Sequence, residues 1–408
     1  MNDFEKPVLS KSTFLRGLQC EKSLYLYKKY YTRRDPIPKE RQAAFDRGNR
    51  IGAFAHQLFP GGVDCRPGGP RQYRKAVEKT QKCLQDGVEV IYEAAFIANR
   101  ILIYVDILVK KPDGWYAYEV KSSTRVSPVH VLDASLQYYV LENAGIQLQD
   151  FNLAYINTRY VRDGEVDPHQ LFRFESVKQK VLSNWDFVEK NVAQLMDVLQ
   201  EPYIPERRIG PQCSEPYDCD FRGTCWREVP ERPVFEIGGM PKKELFELYH
   251  MGVRRLVDIG PNIELKPNQR LLVEAEKKGT PIINKAAIKA FLEGLNYPLL
   301  LIDFESFMPP IPRYNGTRPY QQLPFLFSLH RIDSPGATAT VDDFLAEPGV
   351  DPRQEVLAAF LRLTAGNGDI LAFDARMESQ AIEKLIQFDP SHKSELTQRL
   401  KRIKDLQE

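Results

Sequence analysis

The sequence predicts a multidomain α/β fold: a mixed sheet flanked by helices, then a small helical segment, then a second, partial α/β domain. Three observations predict it. A β-rich hairpin lies near residue 100, apolar strands recur near residues 152 and 300, and stretches of helical periodicity separate them. At 408 residues the chain is long enough for two or three domains, each with its own core. Domain limits are expected at 1–229, 230–295 and 296–408. With 43% hydrophobic and 27% charged residues, this is the make-up of a globular protein, not of a disordered one. Net charge is only +1, so a nucleic-acid partner has to be held by local basic patches and by metal. The start, MNDFEKPVLSKST, lacks the apolar core of a signal peptide, and no run approaches the ~18–20 apolar residues of a membrane span. No membrane partner and a cytoplasmic location are expected.

Residues 10–31 have a capping-type start and apolar residues at helical spacing, predicting one helix that contains Cys20. Its basic residues interleave with aromatics, which suits either contact with a phosphate backbone and stacked bases or a solvated amphipathic face. Residues 45–59 predict a helix with Gly48, Gly52 and His56 four apart on one face, the glycines allowing close backbone approach. A glycine and proline loop at 60–69 and a helix at 71–84 follow. Their cysteines, Cys65 and Cys83, have no partner at ligand spacing and read as incidental. Beyond the hairpin come a helix at 129–144, a strand at 152–157, a long helix at 176–199 and a linker at 230–234. Residues 242–260 read as helix, glycine turn, short helix. This is either a backbone-binding element using Arg254, Arg255 and Lys266 or a packing subdomain.

The hairpin carries the chemistry. Strands at 101–109 and 115–120 are joined by Lys-Lys-Pro-Asp-Gly, a turn of residues that preset or permit turn dihedrals. Alternation puts Glu119 and Lys121 on one face. With an even number of loop residues, Asp106 falls opposite Glu119 or Lys121. Directly opposed Cβ atoms sit about 4.5–5.5 Å apart, close enough for two carboxylates to share a divalent metal. Glu93, before this hairpin, is either an additional acid near the metal or an edge-strand charge.

An acid on one strand followed by Glu-x-Lys on the next resembles the core of the PD-(D/E)XK nucleases, of restriction-endonuclease-like fold. That resemblance implies that Asp106 and Glu119 hold Mg²⁺ or Mn²⁺ and that Lys121 positions or polarises the attacking water at a phosphodiester. A metal lowers the pKa of bound water, and an ammonium adds positive charge without competing as a ligand. His56, ahead of the hairpin, resembles the histidine of the RecB-like branch, which includes the Cas4 proteins, and is implied to be a third metal ligand. Gln137 matches that branch's substrate-side glutamine, although Leu141 stands where its tyrosine is expected.

Cys213, Cys219 and Cys225 are separated by five residues each time in a loop rich in proline, glycine and aromatics. A tetrahedral thiolate set needs a fourth ligand, and Cys20 is the unassigned candidate. One cysteine before the nuclease core and three after it resembles the RecB-like nucleases that carry an iron–sulfur cluster. A [4Fe–4S] cluster is therefore expected, with structural Zn²⁺ the rival.

Residues 298–306, PLLLIDFES, read as a buried strand in which Asp303 and Glu305 share a face. This resembles the opening of RNase H-like, DEDD-type 3′–5′ exonucleases, whose next acid would be Asp374 or Glu378 in the strand and helix of 369–385. The whole arrangement is similar to the DUF2779 proteins. The sequence ends at RIKDLQE, before a third exonuclease motif, so this domain is expected to be incomplete, either truncated or a binding module. The resemblance implies a metal-dependent nuclease that hydrolyses DNA phosphodiesters, at ends or in single strands. The rivals are a non-catalytic nucleic-acid-binding subunit of a repair or defence complex and an RNA-processing exonuclease.

Overall fold

The computed structural model describes residues 7–69 and 72–407, so Arg71, where the helix of 71–84 was expected to start, lies outside the described residues. The fold is mixed α/β, with two mixed sheets flanked by helices. It divides into two units. One comprises Met1–Asn157 and Pro168–Ile282, the other Thr158–Asp167 and Ile283–Glu408. Among the described residues no helix is long and apolar enough to cross a membrane.

The first unit holds a seven-stranded sheet. Its strands are β1 (Leu9–Ser10), β2 (Val63–Asp64), β3 (Val90–Ala98), β4 (Ile101–Lys111), β5 (Gly114–Lys121), β6 (Leu148–Ile156) and β7 (Phe172–Ser176). They run in the order β2-β3-β4-β5-β6-β7, with β1 parallel to the start of β4. The expected hairpin is β4–β5, closed by a two-residue turn between the paired Lys111 and Gly114. Gly114 needs to be glycine: its φ is +142°, and a Cβ there would lie 2.5 Å from Gln149 Cγ.

Helices α1 (Lys11–Gln19), α2 (Glu21–Lys29), α3 (Lys39–Ala55), α4 (Tyr73–Gln85) and α5 (Pro128–Asn143) surround this sheet. After them come the short α6 (Pro168–Leu171) and α7 (Lys178–Ser183), then α8 (Trp185–Gln200). Ile101, Ile103 and Val105 of β4 join Phe14, Leu136, Val140 and Leu195 in the main core, whereas Leu102 and Tyr104 pack with Ala76 and Val77 of α4. The alternation of an amphipathic strand thus serves two layers of helices.

That alternation slips at one place. The core residues of β3 are Ile91, then Ala94 and Phe96; those of β4 are Val105, then Leu108. Both slips fall at acids, Glu93 and Asp106, which stand opposite each other between the paired Tyr92/Ile107 and Ala94/Val105. Glu93 has φ +51°, a left-handed conformation that a non-glycine residue adopts at a cost and that concentrates at functional sites.

Four local readings are corrected. The helix of 10–31 breaks at Cys20, which is extended; its N–H closes α1 on Arg16 O and its carbonyl opens α2 through Leu24 N. The helix of 176–199 breaks at Asn184, whose Nδ2 donates to Ser135 Oγ of α5 at 3.0 Å. Gly48 and Gly52 face open space, so they serve no close approach. Residues 230–234 are not a linker, since Val234 is fully buried in a small core with Ile237, Leu245, Leu256 and Val273. That core is built around α10 (Lys242–His250) and α11 (Pro267–Lys278), which follow the single turn α9 (Arg222–Cys225). Arg255 pairs with Asp258 and Arg254 lies over the Tyr249 ring.

The second unit has a sheet of β8 (Leu299–Phe307), β9 (Leu323–Ile332), β10 (Thr340–Val341), β11 (Phe344–Leu345), β12 (Ile370–Ala372) and β13 (Ile403–Asp405). Its helices are α12 (Lys285–Glu293), α13 (Arg353–Leu363), α14 (Ala375–Phe388) and α15 (Lys393–Lys401). β8 is antiparallel to β9 and parallel to β12, and β12 is parallel to β13. The strand within the final residues was not foreseen from the sequence. It is short, and its pairing with β12 alone defines it.

In the first unit Asp220 ties the N-terminal helices to the loop of 210–226. It accepts from Arg16 at 2.7 and 3.1 Å and from Arg34 Nε, while its carbonyl takes Asp35 N–H at 2.7 Å. Burial alone would lift this carboxyl, but the two guanidinium groups hold it down at about 2. Asp220→Ala strands both cations and is predicted to cost about 3 kcal/mol. A lower urea midpoint at unchanged slope is the expected readout.

Candidate functional site

The antiparallel register of β4 and β5 sets the geometry. Ile107 pairs with Tyr118, so Asp106 lies level with Glu119. The ladder stops there, and the Asp106 carboxylate takes the Val120 N–H at 2.7 Å instead. Glu119 is buried and faces α5, which contributes Asp133 and Gln137 one turn apart. Lys121 Nζ donates to Glu119 Oε1 at 2.7 Å and to Asp133 Oδ2. Gln137 Nε2 donates to Glu119 Oε2 at 2.8 Å and to Asp133 Oδ1 at 3.3 Å. A second ammonium, Lys11 from the first turn of α1, reaches Glu119 Oε1 at 2.6 Å and Asp133 Oδ2 at 3.7 Å.

Electrostatics follow from this arrangement. Burial would raise Glu119, but Lys11 and Lys121 outweigh it and hold the carboxyl well below the usual range. Burial opposes charge on Lys121 too, yet Asp133 and Glu119 keep it a firm ammonium. Lys11 and Lys121 act on Asp106 too, but burial together with the Glu119 charge outweighs them and pushes it up to about 8. Glu93 is raised as well, chiefly by burial, although Arg66 pairs with it at 2.8 Å.

Asp106, Glu119, Lys121 and Gln137 are therefore brought together. His56 is placed otherwise: its ring stacks on Tyr92 at 3.9 Å, and the charges that act on it are Asp64 and Arg66. The histidine near the hairpin acids is His130, lowered by burial and by Lys121. Lys11, Asp133 and His130 were absent from the expected site. Only Asp133 had a sequence signal, its helical spacing from Gln137; nothing local marks Lys11, 108 residues from Glu119.

The donor set suits a hard divalent cation in chemistry, since it offers carboxylate oxygens and an amide oxygen. Gln137 Oε1 is buried without a hydrogen-bond partner, and burial beside Glu119 raises the Asp106 carboxyl. Among the described residues, however, no three His, Cys, Asp or Glu side chains converge closely enough to chelate an ion as they stand. The two ammoniums occupy Glu119 Oε1, where a metal would sit.

Cys20, Cys213, Cys219 and Cys225 line one cavity. Burial raises the Cys20 and Cys225 thiols. Lys22, Arg207, Arg208 and Arg222 line the same cavity, and their charge suits an anionic tetrathiolate centre. Trp226 also lines it, and its Nε1–H is buried without a partner. In chemistry these features suit a sulfur-ligated group, iron–sulfur or zinc, but the four thiols too are not gathered closely enough to chelate an ion as they stand. Cys65 and Cys83, 18 residues apart, also meet: their sulfurs lie 3.9 Å apart in the core.

In the second unit Asp303 and Glu305 are exposed on one face of β8, while Phe304 packs against Phe327 and Phe360. Glu378, buried on the first turn of α14, accepts from Phe304 N–H at 3.1 Å. Asp374 caps that helix by accepting from Arg376 N at 3.1 Å. Burial, then Asp303, Asp374 and Glu305, push Glu378 up to about 7. All four expected acids thus share one electrostatic neighbourhood. Asp405 of β13 accepts from Ala375 N at 3.1 Å, at the start of the same helix.

Comparison with known proteins adds little to this chemistry. Residues 300–408 match the family described as Domain of unknown function (DUF2779), which supports that label for the region. No curated protein matches the chain. One solved structure, titled "Crystal structure of SSO0001", is similar at 11% identity over 54% of this chain and 87% of that chain, with a TM-score of 0.24. That score is too low to carry an argument.

A pH dependence follows from Asp106. Its carboxyl keeps a proton up to about pH 8 in the fold but releases it near the ordinary 3.8 when unfolded. Between those values the folded state binds more protons, so Asp106 makes stability fall as pH rises, by at most about 1.4 kcal/mol per unit. In EDTA-treated protein, Asp106→Asn is predicted to remove this downward contribution. Denaturant unfolding at several pH values checks it; parallel profiles for wild type and variant would refute the placement of the proton.

Proposed function

We propose that the chain is a metal-dependent nuclease that hydrolyses DNA phosphodiesters, with a restriction-endonuclease-like first unit of the RecB-like kind. One observation carries the reading: Asp106 level with Glu119 across β4–β5, with Lys121 Nζ 2.7 Å from Glu119. A purely structural hairpin has no need of this assembly beneath a helix, because burying carboxylates costs several kcal/mol unless cations answer them. When bound, Mg²⁺ or Mn²⁺ supplies Lewis acidity towards the scissile phosphate and offsets its charge.

The side chains divide the remaining work. Asp106 and Glu119 hold the ion through hard oxygen donors. Asp133 and Glu119 keep Lys121 protonated, so Lys121 acts as a positive charge that orients the attacking water and not as a base. Gln137 fixes Glu119 through Nε2 and leaves Oε1 for substrate or water. His56 would serve as a further ligand through a ring nitrogen, since its stack on Tyr92 engages the ring face and not the in-plane lone pair. The four cysteines hold a [4Fe–4S] cluster or Zn²⁺ that reinforces the Asp220 tie between the N-terminal helices and the loop of 210–226.

A second reading has its own support: the Asp303, Glu305, Asp374 and Glu378 neighbourhood suits an RNase H-like exonuclease site in the second unit. The third reading, a nucleic-acid-binding subunit of a repair or defence complex, would leave both acid groups without chemistry.

Degradation of end-labelled single- and double-stranded DNA with Mg²⁺, Mn²⁺ or EDTA separates these readings. Metal-dependent cleavage is expected to fall at least about 100-fold in Lys121→Ala, consistent with losing a preorganised charge at the reacting group, and to survive Asp303→Ala. Loss in Asp303→Ala alone would move the chemistry to the second unit, and binding without cleavage by any protein would favour the binding subunit. Protein purified without oxygen is expected to contain iron and acid-labile sulfide that Cys20→Ser loses. Zinc without iron would make the centre a zinc site.

A further inference from the structure

Glu119 is over-committed for a metal ligand. Its Oε1 accepts from Lys11 at 2.6 Å and from Lys121 at 2.7 Å, and its Oε2 accepts from Gln137 at 2.8 Å. An ion bound there has to displace a donor. Lys121 is the more tightly held, since Asp133 grips its Nζ as well and its side chain is only 17% exposed. Lys11 touches Asp133 only at 3.7 Å and its side chain is 29% exposed, so it has the shorter path to solvent.

The base of Lys11 is fixed. Ser10, the residue before it, pairs with Leu102 in β1–β4, and Ser10 N donates to Thr13 Oγ1 at 2.7 Å, closing the first turn of α1. A firmly anchored backbone thus carries a flexible four-carbon stem ending in a point charge. The charge count explains why it is there. Glu119 and Asp133 supply two carboxylates, and Lys11 and Lys121 supply the two ammoniums that answer them. Without Lys11, Glu119 and Asp133 would share Lys121 alone.

We infer that Lys11 is a displaceable internal cation: its ammonium holds Glu119 and Asp133 in place when no metal is bound, and a divalent ion enters by taking its position on Glu119 Oε1. Lys11 is a positioning residue, and it competes with the metal. The inference rests on the reading that Asp106 and Glu119 receive the ion.

The test is a Mn²⁺ titration of the whole chain, followed by electron paramagnetic resonance, on wild type, Asp106→Asn, Lys11→Met, Lys11→Gln and Lys11→Arg. The site of interest is the one Asp106→Asn removes. Either neutral variant is expected to bind Mn²⁺ there about tenfold more tightly, the factor that ~1.4 kcal/mol of lost competition gives. Lys11→Arg, which keeps the charge, is expected to stay near wild type. Two neutral replacements guard against one that unfolds, as judged by its thermal transition. Binding in the neutral variants but not in wild type would also support the inference. Unchanged or weaker binding in both neutral variants, with wild type still showing the Asp106-dependent site, overturns the role of Lys11 alone. No Asp106-dependent site in any protein overturns the role and the metal-site reading together.

Discussion

Three carboxylates gathered between β4, β5 and α5 need positive charge, and the first unit is arranged around supplying it. Glu119 and Asp133 are buried, and the ammoniums of Lys11 and Lys121 pair with both, holding the Glu119 carboxyl well below its usual range against the cost of burial. Those lysines come from opposite ends of the unit's first 121 residues, so the electrostatic requirement ties the N-terminal helix to the hairpin. Asp106 has no ammonium within ion-pair distance among the described residues, and burial beside Glu119 raises its carboxyl.

The backbone bends to the same requirement. The strand period slips at Glu93 and Asp106, opposite one another, and Glu93 adopts a positive φ. In a sheet built only for packing, a slip sends apolar residues to the wrong face. Here it occurs where acids replace apolar residues in both strands, so the core continues on either side through Ile91, Ala94, Val105 and Leu108. The Asp106 carboxylate restores a bond to the interrupted ladder at Val120 N.

The hairpin, its two-residue turn and the proximity of Asp106 to Glu119 and Lys121 were legible because turn chemistry and period-two alternation act locally. Asp303 and Glu305 on one face of β8 were legible for the same reason. Lys11 was not, since its partner is 108 residues away and long-range packing, including the β1–β4 pairing, brings α1 to the site. The break at Asn184 was missed because its contact with Ser135 of α5 comes from 49 residues away, and neither that break nor the one at Cys20 is marked by proline or glycine at the break itself. The glycines at 48 and 52 misled, because a small residue at helical spacing signals close packing only when a neighbour is there to use the space.

A crystal soaked in Mn²⁺ and measured for anomalous scattering would test the metal site most directly. A peak bonded to oxygens of both Asp106 and Glu119, with the Lys11 ammonium withdrawn from Glu119 Oε1, is the expected result. A peak confined to Asp303, Glu305 and Glu378, with the Lys11–Glu119 pair intact, would contradict it.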